Sequence, residues 1–198
     1  MLAEHLTRDP RVRGAVLDVC TGSGAIAISA ALAAARSVTA VDVSRRALAT
    51  VRVNAWLNGV SVRTRRGELL DAVPGETFDL IAANPPYLPS PAELPTRGTA
   101  RHTEAGPEGR ALLDRLIAQA PSHLTPGGAL LVTHSSVNDE QRTLHQMRQA
   151  GLEATVLERR RGPLGPLLAA RAPALERAGL LQPGVREEDI LVVAGAAR

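Results

Sequence analysis

Short apolar runs alternate with longer Ala-, Leu- and Arg-rich segments, and this alternation constrains the fold more than any other feature of the chain. Five runs are predicted strands: AVLDVC (15–20), SVTAVDV (37–43), VSVRTR (60–65), FDLIAA (78–83) and GALLVTH (128–134). The segments that follow are predicted helices, at roughly 24–36, 44–58, 108–123 and 138–150. Strands that alternate with helices form crossover units, so we predict an α/β fold with a doubly wound, mostly parallel sheet covered on both faces.

The last part of the chain departs from this alternation. LEATVLERR (152–160) and DILVVAG (189–195) are both predicted strands, and they are separated by a segment rich in Pro and Gly. Those residues disfavour one long helix there and favour short helices. We therefore predict a single domain over 1–198 that ends in a hairpin, with 161–188 as an insert and the last strand antiparallel.

Composition excludes several classes of protein. The net charge is only +3, which gives no argument for nucleic-acid binding, and no apolar run reaches the ~20 residues of a membrane span. The single cysteine, Cys20, cannot form a disulfide within the chain, which suits a reducing cytoplasm. Cys20 is expected to be a small packing residue rather than a nucleophile.

The five histidines lack ligand spacing, so no metal site is expected. His134, at the end of the fifth run, is expected either to line a substrate pocket or to be structural.

A first group of residues points to a nucleotide-type ligand. Gly22 and Gly24 fall in the turn between a strand and a helix, where the backbone can approach a ligand and helix N–H groups are free. Asp42 ends the next strand and is placed to accept both hydroxyls of a ribose. An ordinary tight turn is the alternative for the glycines. Asp18 would repel a pyrophosphate but suits a ligand with a cationic amino-acid portion, such as S-adenosylmethionine. Glu68, after the third strand, is either an acceptor for the adenine amino group or a solvated turn residue.

A second group follows the fourth strand, in FDLIAANPPYLPSP (78–91). Asn84 falls at the carboxyl end of that strand, where ligands of open α/β sheets bind. The Asn84 side-chain oxygen and the Pro85 carbonyl can accept both hydrogens of one planar –NH2 group, and Tyr87 can stack on it. Such a cradle orients the nitrogen lone pair toward an electrophile and stabilises the charge that develops on nitrogen. The alternative is a simple turn or helix cap.

The ordered set VLDVCTGSG, VTAVDVS, GELLD, FDLIAANPPY and LTPGGALLV resembles the class I S-adenosylmethionine-dependent methyltransferases. More narrowly, it resembles the HemK-type family of release-factor glutamine methyltransferases, which also share a segment similar to EAGPEGRALLDRL (104–116). The resemblance implies a Rossmann-like methyltransferase fold with seven strands and a reversed last strand. It implies these roles: Asp18, Gly22 and Gly24 in the cofactor loop, Asp42 on the ribose, Glu68 near the adenine, and Asn84, Pro85 and Tyr87 on the acceptor nitrogen, with Asn84 also beside the cofactor.

Three departures from the family pattern bear on function. The first strand starts near residue 14, so an N-terminal segment that lids the cofactor is expected to be missing. Glu68 replaces the commoner Asp, and the insert 161–188 is longer than in the bacterial enzymes. In some eukaryotic and archaeal relatives a small zinc-ribbon protein covers an exposed sheet edge as an activator, so a small activator protein is a candidate partner.

The leading functional hypothesis is an N-methyltransferase that acts on a glutamine side-chain amide of a protein. The alternatives are an N-methyltransferase of a small amide or amine metabolite, a catalytically idle cofactor-binding subunit, and a nicotinamide dehydrogenase, which would leave Asn-Pro-Pro-Tyr unexplained. The insert 161–188 and the loop 88–106 are expected to form the acceptor-side wall, and their arginines favour an acidic acceptor. With one Trp, one Tyr and one Phe, the chain lacks surfaces for base flipping, so no methylation of duplex DNA is expected.

Overall fold

Seven strands form one sheet in this computed structural model, which describes residues 1–90 and 103–198. The strands are β1 (Ala15–Val19), β2 (Ser37–Asp42), β3 (Arg63–Arg66), β4 (Phe78–Ala83), β5 (Leu124–Ser135), β6 (Leu152–Pro163) and β7 (Glu187–Ala197). Their spatial order is β3-β2-β1-β4-β5-β7-β6. β1 to β5 pair in parallel, and β7 runs antiparallel to both β5 and β6. The predicted sheet with a reversed last strand is confirmed.

Helices cover both faces of the sheet. They are α1 (Leu2–Arg8), α2 (Ala25–Leu32), α3 (Arg45–Leu57), α4 (Ala111–Gln119), α5 (Glu140–Gln149) and α6 (Pro166–Arg177). Successive residues of a strand point to opposite faces, so Val16 packs in one apolar cluster with residues of α1, α2 and α3, while Leu17 packs in another with residues of α4 and α5. Among the described residues, none of these helices has the length and apolar character needed to cross a membrane.

The helix α1 was not predicted, because the first ten residues are mostly polar or charged. Leu2 and Leu6 are four residues apart and therefore lie on one face of the helix, where both are buried in the cluster beneath α2. The third strand also starts later than predicted: β3 begins at Arg63 instead of residue 60, and Arg63 is in register with Thr39 of β2. Both differences between prediction and structure lie in short segments, whose conformation depends on the residues that they pack against.

The insert between β6 and β7 contains one helix, α6, rather than several short ones. Pro166 occupies the first turn, where its missing N–H costs nothing, and Pro173 lies inside the helix. The buried face of α6 belongs to a small apolar cluster of its own, against which Leu88 and Val137 are packed. The insert therefore sits on the segment that follows β4, at the carboxyl edge of the parallel strands.

Candidate active site

The glycine loop follows β1 and leads into α2. Cys20, Gly22 and Gly24 all have positive φ, at 57°, 54° and 85°, and the Gly24 N–H donates to the Thr21 carbonyl over 2.9 Å. A Cβ added to Gly22 would meet nothing within 4 Å, whereas one on Gly24 would lie 3.0 Å from Val51. The backbone at Gly22 thus borders open space that a ligand can enter, while Gly24 is required for packing of the loop on α3.

Asp18 holds this loop and the start of α2 through hydrogen bonds. Its side chain is fully buried on β1, and Oδ2 accepts hydrogen bonds from the Thr21 hydroxyl (2.6 Å) and the Ala27 N–H (3.0 Å). Oδ1 has no hydrogen-bond partner among the described residues. Burial, together with the charge of Asp42, raises the pKa of Asp18 to about 7 in spite of the two hydrogen bonds, which lower it. A cation brought to this carboxyl would favour its ionised form.

Asp42 joins the glycine loop to the end of β2. Its Oδ2 accepts from the Gly22 N–H at 3.0 Å, and its Oδ1 accepts from the Ser44 N–H at 2.8 Å. The side chain is nearly buried. The structure thus brings two predicted cofactor residues from different strands into direct contact, and each carboxylate oxygen keeps a lone pair for a further donor.

Glu68 lies just after β3, as predicted, but its carboxylate has a protein partner. Arg115 on α4 approaches Glu68 Oε2 at 2.8 Å and also reaches Asp71 at 3.4 Å. Glu68 is about two-fifths exposed, so this ion pair contributes little to stability. The main effect of the ion pair is to fix the orientation of the Glu68 side chain.

The charges of the three carboxylates Asp18, Asp42 and Glu68 all act on Cys20. Burial raises the pKa of the Cys20 thiol to about 12, and the charges of Asp42, Asp18 and Glu68 add to the increase. Cys20 is therefore a neutral thiol at physiological pH, which agrees with a packing role. The same electrostatics make the mouth of the glycine loop a favourable place for a positively charged ligand.

The Asn-Pro-Pro-Tyr segment borders a cavity of about 300 Å³. Asn84 is exposed, Pro85 is buried, and Tyr87 is half-buried. Burial raises the pKa of Tyr87, and the charge of Glu188 raises it further, so the phenol is protonated at neutral pH. The cavity is lined by Asn84, Pro85, Pro86, Tyr87, Leu88, Thr103, Gly165, Pro166, Leu167, Leu168 and Glu188. Residues of the insert therefore line the space beside Asn84, as predicted for the described part of the wall; residues 91–102 of the loop 88–106 lie outside the described residues.

Asn138 and Gly109 support the Asn-Pro-Pro-Tyr segment from behind. The Asn138 amide nitrogen donates to the carbonyl of Tyr87 at 2.8 Å and also contacts the carbonyls of Glu108 and Gly109. Gly109 has a φ of 69°, and an added Cβ would lie 2.3 Å from the Tyr87 carbonyl oxygen. Only glycine allows this close approach, so the position of Tyr87 depends on a residue 22 places along the chain.

Arg110 in turn holds the segment that carries Asn138. The guanidinium is almost completely buried and donates to the carbonyls of Asn138 and Asp139 and to the Thr143 hydroxyl. Asp114 on α4 neutralises its charge at 2.8 Å. None of these supporting residues was singled out from the sequence, because their roles arise from contacts between segments that are far apart in the chain.

His134 is fully buried, and its Nδ1 lies 2.9 Å from the Ser135 carbonyl. Burial lowers its pKa, and it is absent from the described cavity lining, so the structural alternative is the one supported. Within residues 1–90 and 103–198, no group of three or more His, Cys, Asp or Glu side chains is placed to hold a metal ion; His102 lies outside those ranges.

Comparison with known proteins places the chain in a family. Residues 1–100, which contain every predicted site residue, match the family model described as methyltransferase small domain. This chain belongs to that family. A Methanocaldococcus jannaschii protein provisionally named protein N5-glutamine methyltransferase is 30% identical over 158 residues, which cover 79% of this chain and 80% of that protein. A release factor glutamine methyltransferase of Deinococcus radiodurans is 38% identical over 159 residues, which cover 77% of this chain but only 56% of that enzyme.

The fold of this methyltransferase also matches solved structures. The E. cuniculi Mtq2-Trm112 complex, described as responsible for methylation of the eRF1 termination factor, contains a chain with a TM-score of 0.68 at 22% identity. The match covers all of this chain and 93% of that one, which supports the Rossmann-like fold. The family assignment confirms the predicted enzyme class, and S-adenosylmethionine is the cofactor of this methyltransferase.

The residues around the glycine loop fit that cofactor. The charges of Asp18, Asp42 and Glu68 all act on Cys20 in the loop, the buried Oδ1 of Asp18 lacks a partner among the described residues, and the space above Gly22 is open. S-adenosylmethionine carries a sulfonium and an ammonium group, and these carboxylates would favour both. At this loop Asp18 would hold the ammonium group and Asp42 would hold the ribose.

Proposed function

We propose that this methyltransferase methylates the side-chain amide nitrogen of a glutamine in a protein. The observation that carries the proposal is the register between β1 and β4, in which Val19 pairs with Ala83. The glycine loop begins directly after Val19, and Asn84 directly follows Ala83. Adjacent strands lie about 4.8 Å apart, so the cofactor loop and the amide-binding segment start side by side at the same edge of the sheet.

The roles of the acceptor-side residues follow from their chemistry. Asn84 offers a side-chain oxygen at the cavity, and the Pro85 carbonyl is a second acceptor on a stiff backbone. Together they hold both N–H bonds of a primary amide and turn its lone pair outward, while Tyr87 packs on the flat face of the amide. S-adenosylmethionine supplies an electrophilic methyl group when it is bound. No strong base is needed, since the nitrogen loses its proton after it has gained positive charge.

The relatives support a protein substrate. One is named for glutamine methylation of proteins and another for glutamine methylation of release factors. The presence of Asn84 and Tyr87 at a cavity speaks against a catalytically idle subunit. A small amide or amine metabolite is the alternative acceptor, and the labelling experiment described next distinguishes it from a protein acceptor.

The test is incubation of the purified protein with methyl-labelled S-adenosylmethionine and a release-factor protein, followed by mass spectrometry of the acceptor. We expect label on a glutamine. Asn84→Ala should lower the transfer rate by ~10²–10³ and leave cofactor affinity near normal, because Asn84 acts mainly on the transition state for transfer. Asn58→Ala, which changes the exposed asparagine at the C-cap of α3, is the control. Parent-level transfer by Asn84→Ala, or a strong preference for free small amides over the protein, would contradict the proposal.

We also propose a small protein partner at the β3 edge of the sheet. β3 pairs only with β2 among the described strands, and the neighbouring helix α3 exposes Val53, Trp56 and Leu57 on one face. Trp56 is 77% exposed, and apolar side chains three and four residues apart form a patch suited to a partner. Trp56→Arg should leave folding intact and abolish co-purification with such a partner. Equal co-purification of parent and variant would contradict this assignment.

A further inference from the structure

A carboxylate is built into the acceptor cavity. Glu188 lies at the start of β7, is 9% exposed, and is the only charged side chain among the described residues that line the cavity. Its charge reaches Tyr87, whose pKa it raises. The cavity beside Asn84 therefore carries a negative charge, and that charge comes from β7, which lies beyond β5 in the sheet.

Protein contacts hold Glu188 in place. The Gly165 N–H donates to Oε1 at 2.9 Å, and the buried Ser135 hydroxyl donates to Oε2. Gly165 immediately precedes α6, so Glu188 also links the insert to the sheet. A carboxylate has about four lone-pair sites, and these two contacts use one on each oxygen. Glu188 can still accept from a donor in the cavity without moving.

The arginines of the described insert do not offset this charge within the cavity. Arg171 on α6 donates to the Pro89 carbonyl at 2.8 Å and forms an ion pair with Glu104. Arg186 is paired with Glu176 at 2.9 Å. None of the described arginines of the insert lines the cavity, so the described wall gives no support to the expectation that its arginines favour an acidic acceptor.

We propose that Glu188 selects acceptors that carry a basic side chain next to the methylated glutamine. The inference rests on the proposed function, since it assigns the chemistry of the substrate at the same site. A fixed anion beside a small cavity attracts a cation and repels an acidic neighbour, and exclusion of water from the cavity strengthens both effects.

The test uses three synthetic peptides that differ only in the residues flanking one glutamine, which are Arg, Ala or Glu. Peptide binding is measured by fluorescence anisotropy, and methylation is measured separately as kcat/KM. We expect the parent to favour the Arg peptide over the Glu peptide by tenfold or more, about the effect of one favourable charge contact. Glu188→Gln should reduce this ratio to about twofold, with the Ala peptide and the cofactor bound as before.

Glu187→Gln is the matched control, because it removes the same charge from the adjacent exposed residue, which pairs with Arg161 outside the cavity. It should leave the ratio at the parent value. An equal ratio in Glu188→Gln and parent, an equal loss in Glu187→Gln, or a parent preference for the Glu peptide would overturn the proposal. If Glu188→Gln is unstable on thermal denaturation, the parent protein decides: equal affinity and equal kcat/KM for the Arg and Glu peptides would also overturn the proposal. Charge-selective binding without methylation would count against the proposed function alone.

Discussion

Gly109→Ala should reduce methyl transfer far more than its effect on stability implies. A Cβ at position 109 would lie 2.3 Å from the Tyr87 carbonyl oxygen, 2.6 Å from the Asn138 amide nitrogen and 2.9 Å from the Pro89 nitrogen. The first distance is about 1 Å short of an ordinary contact, so the Asn-Pro-Pro-Tyr segment must move by that amount. A misplacement of about 1 Å can cost ~10² in rate.

Gly106→Ala provides the control for the backbone cost. Gly106 has a φ of 78°, close to the 69° of Gly109, but its added Cβ would come no nearer than 3.8 Å to another atom. Both variants carry the penalty of an L-residue in the left-handed region, about 1–2 kcal/mol. Only Gly109→Ala also displaces Tyr87.

The assay compares three quantities in the two variants: thermal stability, cofactor affinity by calorimetry, and the rate of methyl transfer at saturating cofactor. We expect both to bind S-adenosylmethionine like the parent. Gly109→Ala should transfer ~10²-fold more slowly, and Gly106→Ala should stay within a few-fold of the parent. Equal rates in the two variants would refute the role assigned to the contact between Gly109 and Tyr87.

Three further predictions concern the cofactor side. Asp42→Ala should weaken S-adenosylmethionine binding about a hundredfold, or ~3 kcal/mol by calorimetry, because Asp42 holds the Gly22 N–H and offers acceptors to the ribose; an unchanged Kd would remove Asp42 from the site. Gly22→Ala should weaken binding while Gly59→Ala does not, although both have positive φ and free space around an added Cβ; equal affinities would place the cofactor elsewhere. Cofactor affinity should rise as pH increases through about 7, where Asp18 ionises. Relative to Asp18→Asn, the free protein should lose stability as pH rises from about 4 to 7 and should keep that loss above 7, because the unfolded state releases the Asp18 proton at a lower pH than the folded state; parallel pH profiles in parent and variant would contradict this.

The cofactor half of the site was largely predictable from the sequence because its spacing is local. Gly22 and Gly24 must follow a strand and precede a helix, and Asp42 must end the next strand, so chain order places them at the same edge of a parallel sheet. The partner of Glu68 was not predictable. Arg115 lies 47 residues further along, and their ion pair exists only because α4 packs beside the end of β3.

The sequence by itself determined the α/β fold, the reversed last strand, the glycine loop and the Asn-Pro-Pro-Tyr segment, because period, turn chemistry and motif spacing all act over short distances along the chain. Tertiary structure alone decided which charge lines the cavity beside Asn84. The arginines of the insert suggested a basic wall, but Arg171 folds away onto Glu104 while Glu188 faces the cavity. Side-chain direction depends on packing between α6, β7 and the segment after β4, and that packing leaves no periodic signal in the sequence.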